Sequence, residues 1–151
     1  MAILPKDTFI EVIKNTPLVS IDLIVRNDRQ EVLLGLRNNQ PAKNCWFVPG
    51  GIIRKNETMS AAFARISLTE LGKEFARESA IFLGAFEHLY QENFAEAPGF
   101  GTHYIVLAHE IQLEDNLPTI PQDQHRESAW FSVDQLLNDP AVHPNTKAYF
   151  E

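Results

Sequence analysis

Gly50-Gly51-Ile52-Ile53-Arg54-Lys55-Asn56-Glu57, followed by Ala61-Ala62-Phe63-Ala64-Arg65 and then by Glu70-Leu71-Gly72, is the stretch whose reading decides the fold. Trp46 to Val48 reads as a short strand, and Pro49-Gly50-Gly51 as the loop that stops it, its glycines permitting backbone conformations closed to other residues. Thr58 is suited to cap a helix and Gly72 to end it, so a helix is predicted from roughly Met59 to Leu71. At about 100° per residue, Met59, Ala62, Phe63, Ile66 and Glu70 share one inward face. Glu70 is then a carboxylate on an apolar face, which needs a hydrogen-bonded partner or a cation. Two readings stay open: it reaches solvent or Arg65 from the last turn, or it holds a hard cation together with backbone carbonyls of the glycine loop.

Outward from this centre, Phe9, Val12 and Ile13 fall at helical spacing between Pro5 and Asn15, and Pro17 stops that helix. From Leu18 to Val25 the residues Val19, Ile21, Leu23 and Val25 share one face of a strand, while Ser20 and Asp22 lie on the other. Asn27-Asp28-Arg29 is a hairpin turn and Val32 to Arg37 the returning strand. Further strands are expected at Ile81 to Leu89, at His103 to Ile111 and around Trp130-Phe131, with a short helix after Ser132 and another after Asn145. Strands on both sides of a central helix give an α+β or three-layer arrangement. With 151 residues, 44% of them hydrophobic, residues 1–151 are expected to form a single domain.

A formal net charge of −7 argues against a nucleic-acid surface, which needs clustered Lys and Arg. An anionic ligand would require local cations, either a metal or inward-pointing arginines. The lone cysteine, Cys45, cannot form an internal disulfide and has no evident base beside it, so it reads as an inert thiol in a reducing compartment. No stretch has the length of a signal peptide or a membrane span, which points to the cytoplasm.

Gly51, Glu57, Arg65, Glu70 and Gly72 stand in the register of a Nudix box, but Ile66 and Thr69 occupy two of its carboxylate positions. With Thr16-Pro17-Leu18-Val19-Ser20, Trp46-Phe47-Val48-Pro49-Gly50-Gly51 and Asp123-Gln124-His125, the chain resembles the GDP-mannose mannosyl hydrolases, a branch of the Nudix hydrolases. The resemblance runs from Phe9 to Phe150 and implies an α/β/α sandwich with a mixed central sheet. It also implies one Mg²⁺ held by the Gly50 carbonyl, Glu70 and Gln124, with His125 as general base. His125 lies in a polar segment next to Gln124, where a neutral imidazole can take a proton near pH 7. His109 and His143 read as ordinary structural residues.

Arg37 and Arg65 are the candidate diphosphate clamps, because a guanidinium grips phosphate in bidentate fashion, although Arg37 could equally be a solvated charge at a strand end. The resemblance implies that Phe9, Asp22, His88 and Tyr104 contact the substrate, with the alternative that His88 and Tyr104 are ordinary strand residues. Glu57 is expected to support the loop or Arg65 and not a metal. The branch usually carries an arginine directly after the glycine pair; here Ile52 stands there, and Arg54 is the nearest substitute. The implied activity is hydrolysis of GDP-mannose or GDP-glucose to GDP and free sugar by a homodimer. The alternatives are a pyrophosphohydrolase that releases a nucleoside monophosphate and a sugar phosphate, and a catalytically silent module that binds a nucleotide sugar.

Overall fold

The computed structural model describes residues 3–117 and 125–151. Helix α1 (Lys6–Asn15) precedes strand β1 (Leu18–Arg26), which turns back through β2 (Val32–Arg37) and continues into β3 (Trp46–Phe47) and β4 (Gly50–Ile52). Helix α2 (Met59–Leu71) and a 3-10 turn (Arg77–Ser79) lead to the long strands β5 (Ile81–Tyr90) and β6 (Thr102–Gln112). Strand β7 (His125–Phe131) and the short helices α3 (Val133–Asn138) and α4 (Pro144–Lys147) follow.

The strands form one sheet in the order β3-β2-β1-β6-β5, with β4 added on β1 and β7 on β2. β1 and β6 run parallel, from Leu18 opposite Tyr104 to Arg26 opposite Gln112, and the other pairs are antiparallel, so the sheet is mixed. Both faces of β1 are covered. Ile21, Leu23 and Val25 pack with Phe63 and Ile66 of α2, whereas Ile24 packs with Leu136 of α3 and Val142. This is the α/β/α sandwich, and it explains why β1 is buried almost throughout where a one-sided strand would alternate. The polar Asp22 lies on the Ile24 side. Among the described residues no helix is long and apolar enough to cross a membrane.

Two expectations from the sequence change. Gly50 and Gly51 belong to strand β4, with Asp22 opposite Gly50 and Ile21 opposite Gly51. Neither glycine has a positive φ; what they supply is space. A Cβ on Gly50 would lie 2.6 Å from the Ile21 carbonyl oxygen and against the Asp22 carboxylate, and one on Gly51 would lie 3.1 Å from Ile66 Cγ1. The second change concerns α2. Thr58 caps it by accepting the Ala61 N–H, and Gly72 ends it at φ 73°, as read from the sequence. Its buried face holds Ala62, Phe63, Ile66 and Glu70 and also Ser67 and Leu71, whereas Met59 in the first turn is 43% exposed.

Candidate active-site cleft

A cleft of about 1090 Å³ opens between α1, the ends of β1 and β2, β4 and α2. Phe9 of α1 lines its mouth and packs against Phe94 with ring centroids 5.3 Å apart. Asp22 and Gly50 meet across the β1–β4 pair, and Glu70 enters from the last turn of α2. Arg37, Arg65, His88 and Tyr104 complete the polar lining. The cleft thus gathers eight of the ten residues singled out in the sequence. Gln124 lies outside the described residues. The backbone of His125 is placed opposite Arg37 by the β2–β7 register, and its side chain lies outside what is described.

Arg65 is anchored twice. Its Nε donates to Glu57 Oε2 at 2.7 Å, and its Nη2 donates to Glu57 Oε1 at 2.9 Å and to the Ile52 carbonyl at 2.8 Å. Glu57 Oε1 also accepts the Arg54 N–H at 3.0 Å, so one buried carboxylate ties the loop after β4 to the middle of α2. The Arg65 hydrogen bond, opposed by burial, holds the Glu57 carboxyl down at about 2. Glu57 therefore serves the loop and Arg65, as expected from the sequence. Arg37 donates its Nε to the Pro41 carbonyl at 2.9 Å, which fixes its guanidinium at the strand end beside the cleft.

Asp22 is buried, and burial pushes its carboxyl up to about 7 against the opposing effects of the Tyr149 hydrogen bond and the Arg37 charge; the Glu70 charge adds to the rise. Glu70 is only 7% exposed, so the reading in which it reaches solvent fails. Buried carboxylates beside a backbone carbonyl in one cleft are hard oxygen donors, a set that fits Mg²⁺. Among the described residues no group of three or more His, Cys, Asp or Glu side chains is placed to hold a metal. His88 is 3% exposed, and burial, with the nearby His143, lowers its value to about 4, leaving the ring neutral near pH 7. Burial raises the Tyr104 hydroxyl above its ordinary range.

Reading the sequence missed Tyr149. Its hydroxyl donates to Asp22 Oδ2 at 2.6 Å and lies 3.3 Å from His88 Nε2. No local pattern marks it, since Asp22 is 127 positions away. Tyr90 also lines the cleft, where burial raises its hydroxyl. The structural readings of two histidines agree with the fold. His109 is buried against Phe63 and Phe82 and accepts a hydrogen bond from Arg77, and His143 caps α4 through Nδ1. Arg54 lines the cleft together with Ile52.

The NUDIX domain family model matches residues 16–151. The low-salt glycan biosynthesis protein Agl8 of Haloferax volcanii is 42% identical over 113 residues, which span 75% of this chain and 70% of that protein. Among solved structures, the MutT protein of Methanosarcina mazei superposes with a TM-score of 0.70 at 19% identity, covering 90% of this chain and 92% of that one. The MutT NUDIX hydrolase of Burkholderia pseudomallei gives 0.68 at 24% identity, with coverage of 89% and 96%. The NUDIX domain of Shewanella oneidensis NrtR, solved with ADP ribose, gives 0.65 at 16% identity, with coverage of 97% and 96%. At these identities the structural likenesses establish the fold alone.

Proposed function

The chain belongs to the NUDIX domain family and is a Nudix hydrolase, and from that premise we propose that its single domain hydrolyses a GDP-sugar, GDP-mannose or its glucose counterpart, to GDP and free sugar. Water attacks the anomeric carbon and not phosphorus. The observation that carries this reading is the fate of the acidic positions on α2. Ile66 is 1% exposed in the core beneath Gly51, Thr69 carries no charge, and Glu70 alone brings a carboxylate from them into the cleft. In two-metal sites a pair of ions held by several carboxylates clamps both the attacking and the leaving oxygen at phosphorus, and α2 lacks two of the carboxylates such a pair would use. The relative named for glycan biosynthesis supports a nucleotide-sugar substrate.

Mg²⁺, as for Nudix enzymes generally, is the proposed cofactor. Glu70, the Gly50 carbonyl and Gln124 would hold it, and when bound it would offset the charge on the departing diphosphate. His125 takes the proton from water as the bond between sugar and oxygen breaks. Arg37 meets phosphate oxygens, and Arg65, with Nε and Nη2 engaged by Glu57 and Ile52, meets them with Nη1. Phe9 offers an apolar wall to the base, and Asp22, His88 and Tyr104 contact the substrate. A single displacement inverts the anomeric centre.

Two copies are proposed to assemble. The edge strand β5 exposes Ile81 (62%), Phe82 (52%) and Leu89 (67%), more apolar edge than a lone protomer ordinarily leaves uncovered. Cys45, its thiol raised first by burial and then by Glu92, remains protonated, and the proposed location is the cytoplasm. The deciding experiment is turnover of GDP-mannose in ¹⁸O-water, which should place the label in mannose. Label in GMP or another phosphate would replace this reading with pyrophosphate cleavage, and no turnover on a panel of nucleotide sugars would leave a binding module.

A further inference from the structure

We propose that Tyr149 is a positioning residue that fixes both the Asp22 carboxylate and the tautomer of His88 for contact with the substrate. The inference rests on the functional reading above for what those two residues touch, but not for how Tyr149 holds them.

A phenol has one proton to donate and a lone pair to accept with. The Tyr149 hydroxyl donates to Asp22 Oδ2 at 2.6 Å, a short O–H···O bond, so its one proton is committed there. The remaining contact, 3.3 Å from the Tyr149 oxygen to His88 Nε2, is then a hydrogen bond only if Nε2 carries the hydrogen. A neutral imidazole has one N–H, which leaves Nδ1 bare. The bond to Asp22 thereby selects one of two otherwise similar tautomers 61 positions away from Tyr149.

The ring cannot easily turn away from this arrangement. It meets Phe86 edge-on with centroids 4.8 Å apart, lies 5.7 Å from the His88 ring and packs against Phe150 at 6.5 Å. Asp22 is equally constrained, since β1 places it directly opposite Gly50. Tyr149 reaches both partners from the layer behind the sheet and is not needed as a substrate contact itself. Its part is to keep the acceptor and the ring from wandering, which in a preorganised site is worth on the order of 10²-fold when lost.

The test uses ¹⁵N-histidine-labelled protein, with a His88→Asn variant to assign the His88 signals. The wild-type protein should show His88 protonated at Nε2 and bare at Nδ1. Tyr149→Phe, which keeps the ring, should give a mixture of tautomers. It should lower kcat on GDP-mannose about 10- to 100-fold while changing the Kd for GDP by no more than about twofold. A bare Nε2 in the wild-type protein overturns the proposal without any variant. So does an unchanged tautomer in Tyr149→Phe, or a kcat within about twofold of wild type, even if the variant melts at a lower temperature. If the wild-type protein fails to hydrolyse GDP-sugars, the functional reading falls, and the tautomer measurement still decides the part played by Tyr149.

Discussion

Glu57 and Arg65 form a two-pronged ion pair, at 2.7 and 2.9 Å, in which the Glu57 side chain is 2% exposed and the Arg65 side chain 27%. Because the same carboxylate also receives the Arg54 N–H, the pair braces the loop that carries the polypeptide from β4 into α2. The Glu57 carboxyl is lowered from 4.5 to about 2, so its contribution to stability is fully present above about pH 4.5 and is lost as pH falls toward 2. Glu57→Gln keeps the shape and removes the charge. It should destabilise the protein at pH 7 by roughly 1–3 kcal/mol, a drop of several degrees in Tm. The deficit should shrink between about pH 4.5 and 2. Thermal melts across that range check this, and a deficit independent of pH would contradict it.

Gly50 and Gly51 should respond unequally to alanine. At position 50 the new Cβ meets backbone, the Ile21 carbonyl oxygen at 2.6 Å, together with the Asp22 carboxylate; at position 51 it meets the Ile66 side chain at 3.1 Å, which can shift slightly. Gly50→Ala is expected to cost roughly 1–3 kcal/mol and to displace Asp22, with a large fall in kcat. Gly51→Ala should be milder on both measures. Equal effects in melting and turnover assays would refute the close-approach explanation.

One strong metal site per chain is expected in the GDP-bound protein. Glu70 is the buried carboxylate of α2 that lines the cleft, and the ligands proposed beside it, the Gly50 carbonyl and Gln124, are neutral. Manganese titration followed by electron paramagnetic resonance should show that single site and its near-complete loss in Glu70→Gln. Two or three tight sites would mean that the depleted motif still assembles a cluster.

Replacing His125 tests the base. Its backbone stands opposite Arg37 in the β2–β7 pair, next to the cleft. His125→Gln should lower kcat on the order of 10²- to 10⁴-fold, with Mg²⁺ and GDP binding nearly intact. Near-normal turnover in a folded variant would assign proton removal elsewhere.

Much of the fold was legible because its signals are local. The Thr58 cap and Gly72 stop bound α2 as read, and β2 spans Val32–Arg37 as read. The misreadings arose where a residue's reason lies in another element. Gly50 and Gly51 look like a loop because glycine usually marks backbone freedom, yet here the neighbouring strand crowds them. Met59 fits the inward face of a helical wheel, but in the first turn it stands 43% exposed. For the candidate site, Glu57, Arg65 and Glu70 were visible through motif register, whereas Tyr149 reaches Asp22 only through the packing of the third layer. No one-dimensional pattern encodes a contact of that kind.

The bond between Tyr149 and Asp22 makes the cleft depend on one of the smallest elements of the fold. Tyr149 follows α4, a four-residue helix secured by His143, and is hydrogen-bonded through its backbone to Thr146. Segments this short open locally at a fraction of the free energy needed to melt the core. Each opening of α4 removes the donor from Asp22 and leaves a buried carboxylate to find another partner. Heating should thus erode turnover through a local fraying equilibrium well before the sheet unfolds. The fraction of competent sites is then set by how firmly α4 stays docked, more than by the stability of the sandwich on which it rests.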